Sequence, residues 1–204
     1  MKAAALLVLA ACGGEVGTIT VDLTTAPGST VLDNVTKLQL TITEPLEVFE
    51  SDRSADGFSF SIDVPANGSN GALVVDGFDA SGARIATGKS PPFPVAAINA
   101  RIVVYMAAPM SLAASPVMIA PRSELATGAL SYGVIFVGGR DATGAASTQV
   151  EVYNAYDHTM LVGAPLPAGR IRPPVAVSGA AVLIFGGSDG TNPTSTFWQF
   201  DTTV

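Results

Sequence analysis

Hydrophobic and polar residues alternate through much of the first half of the chain. In residues 18–24, Ile19, Val21 and Leu23 share one side while Thr20, Asp22 and Thr24 share the other. Residues 37–43 repeat the pattern with Leu38, Leu40 and Ile42, and residues 58–64 with Phe58, Phe60, Ile62 and Val64. Alternation with period two is a strand with one face in a core and the other in water. Residues 72–78, 84–87 and 102–105 add apolar runs of strand length, and Asp79-Ala-Ser-Gly82 is a turn signal between two of them. Outside the first dozen residues, no stretch carries apolar side chains at the i, i+3, i+4, i+7 spacing of an amphipathic helix. The pattern predicts an all-β chain whose residues 15–108 fold as a β-sandwich of six or seven short strands.

That strand count and turn spacing resemble immunoglobulin-like and transthyretin-like sandwiches. The stretch 73–88 is similar to modules common in surface proteins, a resemblance that brings no catalytic residue with it. Glu44, Glu47, Glu50, Asp52 and Asp56 make the most acidic local stretch. Calcium takes such oxygen ligands, but this spacing matches no defined calcium loop, and a solvated loop between strands is expected.

The second half carries an internal repeat. Val134-Ile-Phe-Val-Gly138-Gly139-Arg-Asp141 matches Val182-Leu-Ile-Phe-Gly186-Gly187-Ser-Asp189 at an offset of 48, which also relates Arg122 to Arg170. Val150-Glu-Val-Tyr153-Asn154 aligns with the Phe197-to-Asp201 run, containing Trp198 and Phe200, at an offset of 47. Repeats of this length mark propellers and solenoids. The pattern resembles the kelch repeat: an arginine-led strand, an apolar strand ending in Gly-Gly, a strand with Tyr and a last strand with Trp. Met160 stands where that tryptophan is usual, and Phe200 stands in the tyrosine place. The resemblance implies an incomplete kelch-type β-propeller of about two blades over residues 117–204, joined to the sandwich by a linker at 109–116. Two such units leave apolar faces uncovered, since repeats bury their cores mainly against neighbours.

The first residues read differently. Lys2 is followed by nine apolar residues, Ala3 to Ala11, and then by Cys12. That is a signal-peptide core, well below the ~20 residues of a membrane-spanning helix. Leu9-Ala10-Ala11-Cys12 resembles the lipobox of bacterial lipoproteins. The resemblance implies cleavage of residues 1–11, attachment of acyl chains such as palmitate at Cys12, and a short tether over 12–14. Gly13 stands where an inner-membrane retention signal would have Asp, which by analogy sends the protein to the outer membrane of a bacterial envelope. Cys12 is the only cysteine, so no disulfide is expected. The uncharged run 102–120 is long enough to invite a second span, but Pro109 and Pro116 interrupt it and it reads better as a strand and linker.

Glycine and proline, 21 and 14 residues, fall singly between apolar runs and mark turns rather than disorder. The net charge of −7, with no basic cluster, excludes nucleic acid as a natural partner. No catalytic constellation stands out. Some kelch propellers are copper radical oxidases resembling galactose oxidase, which need several histidines and a cysteine-modified tyrosine. This chain has one histidine, His158, expected in a turn, and its cysteine lies in the anchor. No Gly-x-Ser-x-Gly elbow or phosphate-binding Gly-Lys-Ser/Thr is present. Arg122 and Arg170 recur with the repeat, so structural bonds to carbonyls or a carboxylate are expected of them rather than anion binding; Trp198 is expected to pack between blades rather than stack on a sugar. The expectation is a membrane-anchored binding module for an envelope protein or a glycan, acting through propeller loops or the sandwich surface, with no cofactor or metal. The alternatives are a fragment of a carbohydrate-active or oxidative kelch enzyme whose active site lies in further blades, and a structural spacer.

Overall fold

The computed structural model describes residues 16–53, 58, 60–65, 70–94, 100–115 and 117–203. All sixteen regular elements among them are strands. The first nine are β1 (Val16–Thr24), β2 (Lys37–Thr43), β3 (Leu46–Asp52), β4 (Phe60–Pro65), β5 (Asn70–Gly71), β6 (Leu73–Phe78), β7 (Arg84–Lys89), β8 (Phe93–Pro94) and β9 (Ala100–Tyr105). One sheet has the order β4-β1-β9, with β1 antiparallel to β4 and parallel to β9. A second, antiparallel throughout, has the order β3-β2-β6-β7, and β5 and β8 form a small third pair. The alternation seen in the sequence fixes which side chains meet. Ile19, Val21, Ile62, Ile102 and Val104 of the first sheet join Leu38, Leu40, Ile42, Leu73, Val75 and Ala86 of the second in one buried cluster. Each such aliphatic side chain contributes about 1.5–3 kcal/mol when fully removed from water.

Of the acidic stretch, Glu47, Glu50 and Asp52 lie on a strand rather than in a loop, Glu44 lies in the turn before it, and Asp56 lies outside the described residues. β3 pairs with β2 along its whole length, Leu40 opposite Phe49 and Ile42 opposite Glu47. Its first half is inverted relative to hydrophobicity, with Leu46 and Val48 pointing outward, 75% and 54% exposed, whereas Phe49 packs against the core. An edge strand buries little on either face, which removes the signal that marks a central strand. Glu50 pairs with Lys37 and accepts a hydrogen bond from Gln39, so part of the acidity is matched within the sheet.

The remaining strands form two meanders. β10 (Ala126–Leu130), β11 (Gly133–Val137), β12 (Val150–Asn154) and β13 (Thr159–Val162) make a four-stranded antiparallel sheet; β14 (Val175–Ser178), β15 (Ala181–Phe185) and β16 (Phe197–Asp201) make a three-stranded one. Their registers agree with the internal repeat. Val134 lies opposite Tyr153, and the equivalent Val182 lies opposite Phe200. The change of offset from 48 to 47 falls in the loop after the glycine pair. In the first repeat Asp141 N–H donates to Ala145 O; in the second Asp189 N–H donates to Asn192 O, one residue sooner. The Asp141 carboxylate accepts from the Thr143 and Ala145 amides and closes its loop, as Asp79 does with Ser81 and Ala83. Ile135, Val137, Val150 and Val152 of the first meander share a buried cluster with Val182 and Ile184 of the second, and Trp198 and Phe200 pack against it.

Residues 106–115 carry no helix or regular strand, and Met110 and Leu112 are fully exposed there. Among the described residues no helix is long and apolar enough to cross a membrane.

The turn between β12 and β13 reaches back to the first unit. Tyr156 O accepts from Val103 N–H, and Tyr156 Oη donates to Pro92 O. His158 sits in this turn with a left-handed backbone, φ 59°. Its Nε2 lies 3.1 Å from Val103 O, so that nitrogen carries the proton and Nδ1 accepts from Tyr153 Oη. The Tyr105 ring stands 5.5 Å from the imidazole. The turn reading of His158 is thus joined by a second role, as a pin between β9 and the first meander.

Burial lowers the His158 pKa from 6.5, against the opposing pull of the Val103 carbonyl and Asp157. The folded state therefore binds the proton less well than the unfolded chain does. Stability is expected to be fully present above pH 6.5 and to be lost as pH falls through the lowered folded value. Urea unfolding followed between pH 7.5 and 5 checks this. His158→Gln should flatten that part of the profile, and an unchanged profile in the variant would remove His158 as its cause.

Candidate functional site

The repeat brings its first glycine pair, Arg170, Trp198 and Phe200 to the junction of the two meanders, with Arg122 bonded to the carbonyl of Gly138. Gly138 and Gly139 end β11 with φ of 61° and 105°, and Gly186 and Gly187 end β15 with φ of 61° and 76°. A side chain is disfavoured there by the backbone alone. Close approach adds a second reason. A Cβ on Gly138 would stand 2.5 Å from Arg170 O, and one on Gly139 would stand 2.6 Å from Ser123 O. The Gly139 amide donates to Arg170 O at 2.7 Å. The first glycine pair therefore forms the seat for the arginine-bearing segment of the second repeat.

Both arginine side chains turn inward. Arg122 Nη1 donates to Gly138 O and Gln149 O, each at 2.8 Å. Its Nη2 lies 3.0 Å from Glu151 Oε1, and the two side chains are 0% and 1% exposed. The other Glu151 oxygen accepts from Ile119 N–H at 3.2 Å. The guanidinium and carboxylate meet as an ion pair without the alignment of a hydrogen bond, leaving Arg122 Nε, Nη2 and Glu151 Oε1 otherwise unpartnered. Burial pulls the Arg122 pKa below its ordinary value and the Glu151 charge pushes back.

Arg170 repeats the placement with different chemistry. Its Nε and Nη2 donate to Thr196 Oγ1 at 3.2 and 2.8 Å, and Nη1 donates to Gly169 O. Its guanidinium carbon stands 4.4 Å from the Trp198 ring centroid. Position by position, Thr196 replaces Gln149 and Trp198 replaces Glu151. The first repeat compensates its buried cation with a carboxylate, the second with the π face of an indole. The Arg122 fork is fully buried against Glu151, and the Arg170 N–H groups are directed at Thr196 Oγ1 and Gly169 O, so both guanidinium groups are held within their own repeats.

The other sequence-marked residues divide between two faces. Trp198 and Phe200 lie against the core shared by the meanders, and the Phe200 ring fills the space a side chain on Gly163 would need. Tyr153, the counterpart of Phe200, instead faces His158 and β9. Cys12 and the lipobox residues Leu9, Ala10 and Ala11 lie outside the described residues.

Sequence reasoning missed Glu151, whose signal is a lone acid inside an apolar strand, and Glu124. The Glu124 carboxylate bridges Arg140 at 3.5 Å and Arg172 at 3.2 Å. Glu124 and Arg172 occupy the same repeat position, and both hold left-handed φ, 55° and 50°. Among the described residues, no three His, Cys, Asp or Glu side chains are grouped to hold a metal ion.

Two clefts flank this junction at equivalent places. One, of about 210 Å³, is lined by Ile119, Val150, Glu151 and Val162. The other, of about 380 Å³, is lined by Pro167, Phe197 and Trp198, the counterparts of the first three, together with Phe200. Phe197 is 62% exposed and stacks on Phe185 at 6.3 Å.

Removing one member of the buried ion pair should be costly. Glu151→Gln is expected to destabilise the protein by about 3–5 kcal/mol, because it strands a desolvated guanidinium. Arg122→Met combined with Glu151→Leu should recover most of that loss. Chemical denaturation of the three proteins measures both numbers; equal stability of the single and double variants would show that the charge is not the cause.

Neither a protein-family model nor a curated protein matches the chain.

Proposed function

We propose that this chain is a lipid-anchored protein of a bacterial envelope, held by acyl chains on Cys12, in which an immunoglobulin-like or transthyretin-like β-sandwich carries kelch-type repeats that act as a binding module for an envelope protein or a glycan. The observation that carries the anchor is the N-terminal run: one lysine, nine apolar residues and a cysteine preceded by Leu9-Ala10-Ala11. Cleavage before Cys12 needs small residues ahead of the cut and a thiol behind it, and both are present. More than one acyl chain makes such attachment stable.

The arrangement of strands fits that role. β1 begins at Val16, four residues after Cys12, which leaves a short tether. Because β9 runs parallel to β1, the chain leaves the first unit at the end of β1 remote from the tether. Nine extended residues span roughly 26–30 Å at 3.3 Å each, so the first unit acts as a stalk that carries the repeats away from the lipid surface. The binding role rests on what the repeats offer. Their repeated arginines are turned inward, and an aromatic cleft is left at the surface.

Cys12→Ser is expected to abolish incorporation of labelled palmitate and to leave the signal uncleaved. Metabolic labelling and the mature N-terminus read both. A variant still lipidated and matured at the same site would refute the anchor, while a correctly anchored protein that captures no envelope protein and no glycan on an array would leave only a spacer.

A further inference from the structure

We infer that the β2–β3 turn and the sheet face above it form a foot that rests on a phospholipid surface, with Leu46, Val48 and Val74 in the headgroup layer and Lys89 at its phosphates. The inference rests on the proposed lipid attachment at Cys12, which decides what this end of the first unit meets.

Strand directions bring the tether and this turn to one end. β6 is antiparallel to β2 and β7 is antiparallel to β6, so β7 runs with β2. Ala107, two residues beyond β9, pairs antiparallel with Thr87 of β7. β9 therefore arrives against the direction of β7, and β1, which is parallel to β9, runs against β2. β1 thus begins at the end where β2 finishes and turns into β3. Four residue steps separate Cys12 from Val16, at most roughly 14 Å of chain at ~3.6 Å each. A lipid on Cys12 holds the Glu44-Pro45 turn and its neighbours close to the headgroups.

The outer face of the second sheet is graded toward that end. Residues opposite one another on paired strands share a face. Farthest from the turn, Asp52, Lys37, Phe78 and Arg84 form one row, and Glu50, Gln39, Asp76 and Thr87 form the next. These rows satisfy themselves. Lys37 pairs with Glu50, Gln39 donates to Glu50, and the Asp76 carboxylate accepts from Arg84 and Thr87. The following row is Val48, Thr41, Val74 and Lys89, and the last is Leu46 beside Thr43. These last two rows hold no carboxylate, and their one charge is the exposed Lys89.

The fold itself gives these aliphatic side chains nothing to pack against. Leu46 and Val48 stay 75% and 54% exposed, while Glu47 between them lies on the Ile42 side. An inward acid guards an edge strand against pairing with another chain. A headgroup layer suits such an edge, because it takes up aliphatic side chains and leaves the polar main chain hydrated. Interfacial elements bury an apolar face ~5–10 Å deep in this layer. The lone cation of the patch matches lipid phosphate. The net charge of −7 gives no general attraction to anionic lipid, so zwitterionic lipid is the surface that fits. Tethering replaces intrinsic affinity with a high effective concentration, so a small patch is enough.

The test uses residues 12–204, the chain left by cleavage before Cys12. The Cys12 thiol is coupled to maleimide-bearing lipid in phosphatidylcholine vesicles; it is the only cysteine, so one site reacts. Leu46→Trp is the reporter, read against the natural chain, whose one tryptophan is Trp198. On coupling, the added emission should shift to the blue and be largely quenched by lipids with brominated acyl chains. Ala80→Trp, exposed in the β6–β7 turn at the far end of the same sheet, should show neither change. Val48→Asp added to Leu46→Trp should abolish both, and at an exposed position it leaves the fold intact. Absence of quenching at position 46, equal quenching at 46 and 80, or quenching that survives Val48→Asp overturns the inference. A blue shift of Leu46→Trp that grows with protein concentration in the absence of vesicles also overturns it, by assigning the face to a second copy. Chemical coupling stands in for natural acylation, so palmitate labelling of Cys12 without quenching ends this inference and leaves the anchor in place.

Discussion

A β-sheet has two faces, and each apolar face must be covered by something other than water. That requirement organises the chain from β1 to β16. In the first unit two sheets cover each other, with Ile19 and Val104 on one side and Leu40 and Val75 on the other. In the second half the covering is sequential. The face of the first meander that carries Ile135, Val137, Val150 and Val152 is covered by Val182 and Ile184 of the second. The opposite face of the first meander meets β9 through Tyr153, His158 and Tyr105, so the N-terminal unit stands where a preceding repeat would stand. The positions equivalent to Val137 and Val150 in the second meander, Phe185 and Phe197, are exposed and stack on each other. Apolar burial scales with the area removed from water, so each added sheet stabilises mainly its neighbour.

The buried arginines show how one scaffold position tolerates different electrostatics. A guanidinium withdrawn from water needs both hydrogen-bond acceptors and compensation for its charge. Carbonyl oxygens near the glycine turn supply acceptors in the first repeat, and a threonine hydroxyl and Gly169 O do so in the second. Compensation comes from Glu151 in one case and from the Trp198 ring in the other. The substitution is chemically coherent because the two residues occupy the same strand position and point to the same side. It also places Trp198 in a structural role on one ring face while its cleft side borders the groove beside β16.

Much of this was legible beforehand, for identifiable reasons. The strand at Lys37–Thr43 and the core residues Leu38, Leu40 and Ile42 follow from strict alternation, which survives because both neighbours of β2 are strands and one face is dry. The internal repeat was legible because Gly-Gly is demanded by left-handed backbone and close contact, leaving a mark that few other residues can imitate. β3 was not legible, because an edge strand with Leu46 and Val48 turned outward has no hydrophobic period that reports its pairing. The role of Glu151 was hidden because its partner is 29 residues away and the two meet only when β12 lies beside the glycine turn.

The sequence by itself determined the all-strand character, the alternating cores, the turn chemistry at Asp79, and the spacing of the two repeats. These are local properties: the pleat sets side-chain direction, and short Asp and Gly motifs set chain reversal within a few residues. Tertiary structure alone decided which sheet covers which face, that β9 runs parallel to β1, and that His158 pins the first meander to the first unit. It alone decided that Arg122 meets a carboxylate while Arg170 meets an indole. Those outcomes depend on long-range pairing, in which many sequence-distant partners satisfy the same local pattern and only mutual burial selects among them.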